Sequence, residues 1–136
     1  MFLGKSVVDG IKSVAVNYDK TRGAIVLAQM SSKANFFTPD YTKSCMSLCD
    51  DRFVFGYVGQ SRLSPRADII QFTPGLNLVS AGDSLGQQYV TPTAAVFERG
   101  ADIIIVGRGI TGAADMATVA QKYNEEAWRA HENRFQ

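Results

Sequence analysis

The stretch ADIIIVGRGI, residues 101–110, decides the fold class of this chain. Its apolar run at 103–106 predicts a short strand over 102–106 that is buried on both faces, followed at once by Arg108 between two glycines. Gly107 and Gly109 let backbone N–H groups approach an anion, and the guanidinium of Arg108 can bind a phosphate through two hydrogen bonds. A helix that starts directly afterwards adds partial positive charge. The pattern is equally compatible with a phosphate site and with a tight turn that carries a surface arginine.

The same change from apolar to polar residues occurs three times upstream, and helical patterns separate the runs. Strands are predicted over residues 24–30, 53–58, 68–72 and 102–106. Helices are predicted over 6–16, over 40–50 with Asp40 as N-cap, from Thr91 to Gly100, and over about 113–130. The residues predicted to line the inner face of the last helix are Met116, Ala117, Ala120, Tyr123 and Ala127. Strands that alternate with helices predict an α/β fold with a parallel sheet.

Ligand-binding groups are expected where the strands end, because parallel α/β folds bind ligands at the carboxyl ends of their strands. The small and polar residues at these ends are Ser31 and Ser32, Gln60 to Arg62, Thr73 to Gly75, and Gly107 with Arg108. They converge if the four strands lie side by side in one sheet. The two serines have no His or Asp arrangement to activate them as nucleophiles. They are interpreted as hydrogen-bond donors to a bound ring, or as a helix cap.

A long polar connection, residues 75–91, follows the third predicted strand. Connections of this length are uncommon in compact domains and often serve as lids or binding loops. Gln87, Gln88 and Tyr89 would supply its hydrogen-bonding groups. The alternative is a surface excursion without a ligand.

Composition argues against several classes of function. The 136 residues are 46% hydrophobic and 20% charged, as in one ordinary globular domain. A net charge of +1 without a basic run argues against nucleic acid as a partner. No apolar run approaches the length of a membrane span, so no membrane partner is expected. His131 is the only histidine, which argues against a His-based metal site and against a histidine general base.

The two cysteines, Cys45 and Cys49, are four residues apart. With no further cysteine in the chain they match neither a zinc site nor a redox motif, and two small buried side chains are predicted. Free thiols favour a reducing compartment, and the amino-terminal residues do not resemble a secretory signal. We therefore expect the protein in the cytoplasm.

Four segments of the chain occur in the order and at the spacing of one known family. They are LAQMSSK at 27–33, QFTPG at 71–75, GDSLGQQYVTP at 82–92 and ADIIIVGRGI at 101–110. Together they resemble the orotidine 5′-phosphate decarboxylase family of eukaryotic type, whose domain also forms the C-terminal part of bifunctional UMP synthase. The resemblance extends from about residue 6 to about residue 130. It implies a (β/α)₈ TIM barrel that converts orotidine 5′-phosphate to UMP and CO₂ in pyrimidine biosynthesis, without metal or organic cofactor.

The resemblance also implies residues for the pyrimidine base. Ser31 would hydrogen-bond the edge of the pyrimidine, and Pro74 would line the base pocket. The segment after MSSK departs from the family, which usually has a Gly-Ser-Leu-like sequence there. This chain has Ala-Asn-Phe-Phe at 34–37, so the loop is expected to differ in shape.

Four further residues are implied for the phosphate. Gln87 and Tyr89 would reach over the ligand and bind its phosphate. Arg108 and the backbone of Gly107 would hold the phosphate directly, which agrees with the interpretation of the Gly-flanked arginine above.

The catalytic residues of the family have no counterpart in this chain. Family members carry an Asp-x-Lys-x-x-Asp motif and a further Lys. These residues stabilise the transition state for direct loss of CO₂ from C6 of the orotate ring and protonate the carbanion. The six lysines of this chain, at 5, 12, 20, 33, 43 and 122, do not lie in such a motif. The resemblance therefore implies the C-terminal half of the barrel, strands five to eight, with residues 1–136 as a single partial domain and no catalytic residue.

Half a barrel leaves two strand edges and an apolar inner face uncovered. The other half could come from another polypeptide or a longer chain, a second copy could pair in a homo-oligomer, or the strands could rearrange into an open sheet. Two classes of function stay open. The chain is the binding half of an orotidine 5′-phosphate decarboxylase, inactive alone, with orotidine 5′-phosphate and UMP as ligands. Alternatively, it is a non-catalytic phosphate-ligand or protein-interaction half-barrel from a truncated copy.

Overall fold

The computed structural model describes residues 4–50, 52–78 and 88–136. Its helices are α1 (Lys5–Ala15), α2 (Pro39–Ser47), α3 (Arg108–Thr111) and α4 (Met116–Arg134), with a 3-10 turn at Leu48–Asp50 and a π-helical turn at Ala94–Glu98. Its strands are β1 (Ala24–Leu27), β2 (Val54–Val58), β3 (Ile70–Pro74) and β4 (Ile103–Ile105). The predicted strands and helices are all present, with ends that differ by a few residues.

The four strands of the described residues form one parallel sheet in the order β1-β2-β3-β4. One row crosses the whole sheet, pairing Leu27 with Val58, Val58 with Phe72, and Phe72 with Ile103. Because all strands point the same way, their carboxyl ends meet along one rim. The predicted α/β fold with a parallel sheet is confirmed.

One face of the sheet, called here the covered face, packs under the helices. Val26, Tyr57 and Gln71 form a row across β1, β2 and β3, and all three are fully buried. Val8 of α1 and Cys45 of α2 join the same core. Removal of this apolar surface from water is the main force that holds the helices on the sheet.

The opposite face, called here the open face, carries apolar side chains that remain partly exposed. Ile25, Leu27, Ile103 and Ile105 lie on it and are 40%, 36%, 42% and 41% exposed. In a closed barrel these side chains would point inward and meet the remaining strands. The expectation that the inner face stays uncovered in the isolated chain is confirmed.

A second core lies under α4. Its buried members are Leu76, Val90, Ala95, Val96, Ala101, Tyr123 and Ala130. The prediction that Met116 and Ala117 line the inner face of α4 is wrong, since both are exposed. The helix packs on this core only from Val119 onward, so its first turn has no core beneath it.

The connection from β2 to β3 crosses the covered face without a helix, since residues 59–69, all of them described, form only turns and extended segments. The Tyr57 hydroxyl accepts a hydrogen bond from Leu63 N–H (2.8 Å) and donates one to Gln71 Oε1 (3.0 Å). Gln71 Nε2 in turn donates to Thr73 Oγ1 (3.0 Å). Burial raises the pKa of the Tyr57 phenol, which keeps the hydroxyl protonated and able to donate.

The helix ends follow local capping rules, with one correction. The prediction of Asp40 as N-cap is wrong, because Pro39 occupies the first helical position of α2 and Thr38 caps it. The Thr38 hydroxyl accepts a backbone N–H of the first turn at 3.2 Å. The helical turn after the long loop opens as predicted, with Thr91 Oγ1 accepting a backbone N–H at 3.2 Å. Gly100 closes it with a φ of +74°.

Asp102 joins the start of β4 to three neighbours. Its carboxylate accepts the Gln71 backbone N–H at 2.8 Å and pairs with Arg62 Nη1 at 3.0 Å. Arg134, at the end of α4, approaches the other carboxylate oxygen at 3.6 Å. These contacts hold the last helix and the β2–β3 connection against the sheet.

Candidate functional site

The carboxyl ends of the strands form the rim where the sequence predicts a ligand. Ser31 lies four residues after β1, Pro74 is the last residue of β3, and Gly107 lies two residues after β4. The backbone ladder extends into this rim, since Gln29 N–H donates to Val58 O at 3.1 Å. The four strand ends therefore lie side by side, which is the condition for the predicted convergence.

The long connection after β3 is fixed at its base. Leu76 and Val90 are buried and form a parallel bridge. Val90 N–H donates to Gly75 O at 3.0 Å, and Gly75 has a φ of +81°, a conformation that glycine adopts readily. The connection thus leaves and returns at the rim. Gln87, predicted to bind phosphate, lies outside the described residues.

Ser31 and Tyr89 share one cleft. Gln88 N–H donates to Ser31 O at 3.2 Å, so the returning limb of the connection pairs with the segment that follows β1. The cleft has a volume of about 570 Å³. Its polar and charged lining includes Ser31, Ser32, Lys33, Gln60, Gln88 and Tyr89. Such a lining can bind a polar ring that carries an anionic group.

The turn after Ser32 is held by side-chain hydrogen bonds. Ala34 has a φ of +53°, in the left-handed region that costs a non-glycine residue about 1–2 kcal/mol. Asn35 stabilises the turn, because its Nδ2 donates to Ser32 O at 2.6 Å and its Oδ1 accepts Phe37 N–H at 3.0 Å. These bonds of Asn35 offset the local strain at Ala34.

A short helix begins at the Gly-flanked arginine itself, whereas the sequence predicts a helix that starts after it, from about residue 113. α3 begins at Arg108, and Gly107 O accepts Ile110 N–H at 2.9 Å. Among the described residues, a Cβ at Gly107 would meet no atom within 4 Å, whereas one at Gly109 would overlap the Tyr123 hydroxyl of α4. Gly109 is therefore required for packing of α3 on α4, a reason that the sequence did not reveal. Arg108 follows one edge strand, whereas Ser31 follows the other.

Two residues at the rim carry contacts that sequence reasoning missed. The sequence marks Gln60 only as part of a strand end and gives no signal for Gln29. Gln60 lines the cleft, and its Nε2 donates to Pro74 O at 3.1 Å, which connects the predicted base-pocket proline to the cleft. Arg62, from the same stretch, turns away to Asp102 and does not join the cleft.

The cysteines lie outside the cleft. Cys45 and Cys49 form no disulfide and have exposures of 1% and 2%, which confirms the prediction of two small buried side chains. Burial raises the pKa of the Cys45 thiol, with a smaller opposing effect from Tyr41. A raised pKa disfavours the reactive thiolate, so this cysteine serves packing.

Two absences apply to residues 4–50, 52–78 and 88–136. Within them, no three or more His, Cys, Asp or Glu side chains are grouped so that they could hold a metal ion. Within the same ranges, no helix has the length and apolar character needed to cross a membrane.

The chain is similar to known proteins over most of its length. A family model described as "Orotidine 5'-phosphate decarboxylase / HUMPS family" matches residues 1–123. The orotidine 5'-phosphate decarboxylase of Aspergillus fumigatus is 40% identical over 94% of this chain, and that of Aureobasidium pullulans is 37% identical over 99%. Bovine uridine 5'-monophosphate synthase is 37% identical over 97% of this chain.

These matches cover only part of each relative. The chain spans 51% of the Aspergillus fumigatus protein, 50% of the Aureobasidium pullulans protein and 28% of the bovine protein. Together with the four-stranded parallel sheet, this extent corresponds to half of a TIM barrel.

Proposed function

The chain belongs to the orotidine 5′-phosphate decarboxylase / HUMPS family, and on that premise we propose that it supplies the ligand-binding half of an orotidine 5′-phosphate decarboxylase. The ligands would be orotidine 5′-phosphate and its product UMP. The observation that carries the proposal is the polar cleft at the strand ends, where Ser31 and Tyr89 face the same space. Catalysis would need groups that this chain does not contain.

The base would bind on the β1 and β3 side of the rim. Ser31 lines the cleft and would hydrogen-bond the pyrimidine edge. Pro74 does not line this cleft, but its carbonyl is bonded to Gln60, which does, and Pro74 would form a wall of the base pocket beside it. The half-buried position of Pro74 at the end of β3 supports this role, because its ring is available at the rim. The proposal assigns no proton transfer to either residue.

The phosphate would bind on the β4 side. Arg108 starts α3 directly after β4, where a guanidinium can form paired, charge-assisted hydrogen bonds to phosphate oxygens. The backbone N–H groups near Gly107 can approach the anion because, apart from the adjacent residues of the chain, no described residue lies within 4 Å of the place that a Cβ would take there. Tyr89 and Gln87 would reach the same phosphate from the connection after β3.

Such a half-site binds substrate at atoms far from the reacting carbon. Binding energy gained there stabilises the transition state only when catalytic groups stand beside the reacting carbon. The chain contains no Asp-x-Lys-x-x-Asp motif to supply those groups. Alone, it would therefore bind ligand without turnover.

The missing groups would come from a second polypeptide segment that docks on the open face. We use the term complementary half for the part of the Aureobasidium pullulans decarboxylase that this chain does not match, which the family pattern expects to carry Asp-x-Lys-x-x-Asp. Besides the open face, α1 presents a stripe of apolar residues to solvent. Ile11 and Val14 on this stripe are 50% and 55% exposed, and Tyr18, in the turn after the helix, is 54% exposed. Both surfaces suit a partner that continues the sheet beyond β1.

A second copy of this chain fits the open face less well than the complementary half. In a TIM barrel each strand is followed by one helix, so one helix covers each seam between strands. This chain has a helix before its first strand and another after its last strand. Two copies in a ring would place α4 of one and α1 of the other over the same seam. The homo-oligomer formed by the isolated chain would therefore give way to the complementary half.

The assembled protein provides the test of the ligand assignment. In the complex with the complementary half, Arg108→Ala should cost about 1.5–3 kcal/mol in kcat/KM for orotidine 5′-phosphate, the range for hydrogen bonds to charged groups. Arg129→Ala, which removes an exposed arginine from α4, is the matched control. An unchanged KM and kcat in Arg108→Ala would refute the phosphate assignment. Turnover by the chain alone above the uncatalysed background would refute the proposal that this chain binds the ligand without catalysing the reaction.

The runner-up function is a non-catalytic phosphate-ligand or interaction half-barrel. It would be chosen if the complex forms and binds UMP but shows no decarboxylation. The two buried thiols form no disulfide, which agrees with a reducing compartment, and we propose that the protein is cytoplasmic under either function.

A further inference from the structure

Two glutamines connect the carboxyl ends of three neighbouring strands. Gln29 follows β1, and its Oε1 accepts the backbone N–H of Gln60 at 2.8 Å and the Ser61 hydroxyl at 3.4 Å. Gln60 follows β2, and its Nε2 donates to the carbonyl oxygen of Pro74, the last residue of β3, at 3.1 Å. We call this chain of contacts the amide bridge.

The amide bridge begins where the backbone ladder ends. The last described ladder bonds at this rim run from Gln29 N–H and Gly59 N–H to carbonyls of the neighbouring strands. Beyond them, side-chain amides take over the connection between strands. A Cβ at Gly59 would lie 3.3 Å from Gln29 Oε1 and 3.0 Å from the Tyr57 ring. The absence of a side chain at Gly59 thus leaves room for the side-chain Oε1 of Gln29 to reach the segment that follows β2.

Gln60 stands between two cavities. Its side chain lines the cleft that contains Ser31 and Tyr89, and it also lines a neighbouring groove of about 610 Å³ beside α2. That groove is more apolar, with Phe37 and Met46 among its lining residues. Gln60, Met30 and Asn35 line both cavities, so the Gln60 side chain is part of the wall between the polar cleft and the apolar groove.

We propose that Gln60 and Gln29 are positioning residues for the pyrimidine pocket, acting through Pro74 and the wall of the cleft. This proposal rests on the proposed function for the identity of the ligand. Gln60 fixes the carbonyl of Pro74, and with it the end of β3 against β2. Gln29 fixes the backbone of Gln60, and with it the end of β2 against β1. Neither side chain is assigned a contact with the reacting carbon.

The two glutamines have opposite hydrogen-bonding roles in the amide bridge, so the same substitution should affect them differently. Gln29 acts in the amide bridge only as an acceptor, and a carboxylate accepts at least as well, so Gln29→Glu keeps the bridge. Gln60 must donate to a carbonyl oxygen, and a carboxylate has no N–H to donate, so Gln60→Glu breaks it. The same chemical change is therefore tolerated at one position and harmful at the other.

The experiment uses the chain bound to the complementary half and measures KM and kcat for orotidine 5′-phosphate. We expect Gln60→Glu to raise KM on the order of tenfold, as for the loss of one ordered hydrogen bond, with a smaller change in kcat. Gln29→Glu should stay within about twofold of the parent, whereas Gln29→Leu, which has no acceptor, should resemble Gln60→Glu. Equal effects of Glu at both positions, or no effect at Gln60, would overturn the proposal.

A second readout in the full chain does not depend on activity. The backbone N–H of Gln60 should exchange slowly with solvent in the parent and in Gln29→Glu, and faster in Gln29→Leu. The ¹³C chemical shift of the Pro74 carbonyl should move in Gln60→Glu and stay unchanged in Gln29→Glu. If the parent complex shows no turnover while these shifts appear as expected, the proposed function fails and the amide bridge stands. If exchange at Gln60 is the same in all variants, the amide bridge itself is wrong.

Discussion

The covered face and the open face of the sheet are built from similar residues but have different surroundings. On β1, Val26 points to the covered face and is fully buried, whereas Leu27, the next residue, points to the open face and is 36% exposed. On β2 and β3, Tyr57 and Gln71 are fully buried, while Ile103 of β4 on the other face is 42% exposed. Strand alternation alone sets these directions.

The difference shows that this chain gains stability from apolar burial mainly on the covered face of the sheet. Burial of apolar area contributes roughly 25 cal/mol per Å², and the covered face receives that contribution from the chain's own helices. The open face receives little of it until another segment docks. Since native proteins are stable by only about 5–15 kcal/mol, the isolated chain should be marginally stable and prone to associate.

The largest expected loss of stability comes from removing a buried side chain of the covered face. Tyr57→Ala should lower the free energy of unfolding by about 3–5 kcal/mol, because it leaves a cavity and removes the hydroxyl that bonds Leu63 N–H and Gln71. Urea denaturation of the chain measures the loss. Leu27→Ala, on the open face, is the control and should cost well under half as much. Equal losses in the two variants would mean that the faces do not differ in packing.

A smaller effect should appear on association. Leu27→Asp should destabilise the isolated chain less than Tyr57→Ala does, because the Leu27 side chain is already 36% exposed. It should weaken binding to the complementary half by about thirtyfold or more, as expected for one apolar side chain that cannot be buried. Titration calorimetry gives the affinity, and Leu27→Met is the conservative control. Undiminished affinity in Leu27→Asp would show that the partner does not bind the open face.

The smallest expected effect depends on pH and concerns the first turn of α4. The Asp115 carboxylate caps α4 and accepts the Thr118 hydroxyl at 2.6 Å and its backbone N–H at 3.1 Å. The Thr118 hydroxyl, followed by its backbone N–H, holds the pKa of Asp115 below its usual range. Its stabilising contribution is therefore present above about pH 4, the pKa of an unfolded chain, and is lost as the pH falls through the lower folded pKa.

When the cap is lost, the first turn of α4 should fray. Hydrogen exchange of the Thr118 N–H measures this fraying from pH 5 to about pH 2, roughly the range in which Asp titrates. Asp115→Asn keeps an acceptor at the cap but has no proton to bind, so its cap should not respond to pH. Identical acid fraying in parent and variant would assign the effect to other carboxylates.

Much of the fold could be predicted from the sequence because its signals are local. The apolar runs near Ile25, Val54 and Ile104 locate strands by themselves, and Thr91 with its following proline starts a helical turn as capping rules require. The N-cap of α2 was misplaced by two residues, since Asp40 is as good a capping residue as Thr38 until the proline between them is considered.

The site was less predictable because it depends on register between strands. Residues after each strand could be named, but the contact from Gln88 to Ser31 and the amide bridge through Gln60 require knowing which strand end lies beside which. The exposed first turn of α4, with Met116, has a related cause. Helical periodicity shows which residues share a face, but it cannot show where along the helix its partner ends.

The central claim is that the open face is a docking face for the other half of a barrel. Light scattering at micromolar concentration, coupled to size exclusion, tests it with the chain alone and with the complementary half added. The chain alone should elute as a dimer or larger species, and addition of the complementary half should replace this species by a one-to-one complex. A well-folded monomer that melts cooperatively and does not bind the complementary half would contradict the account.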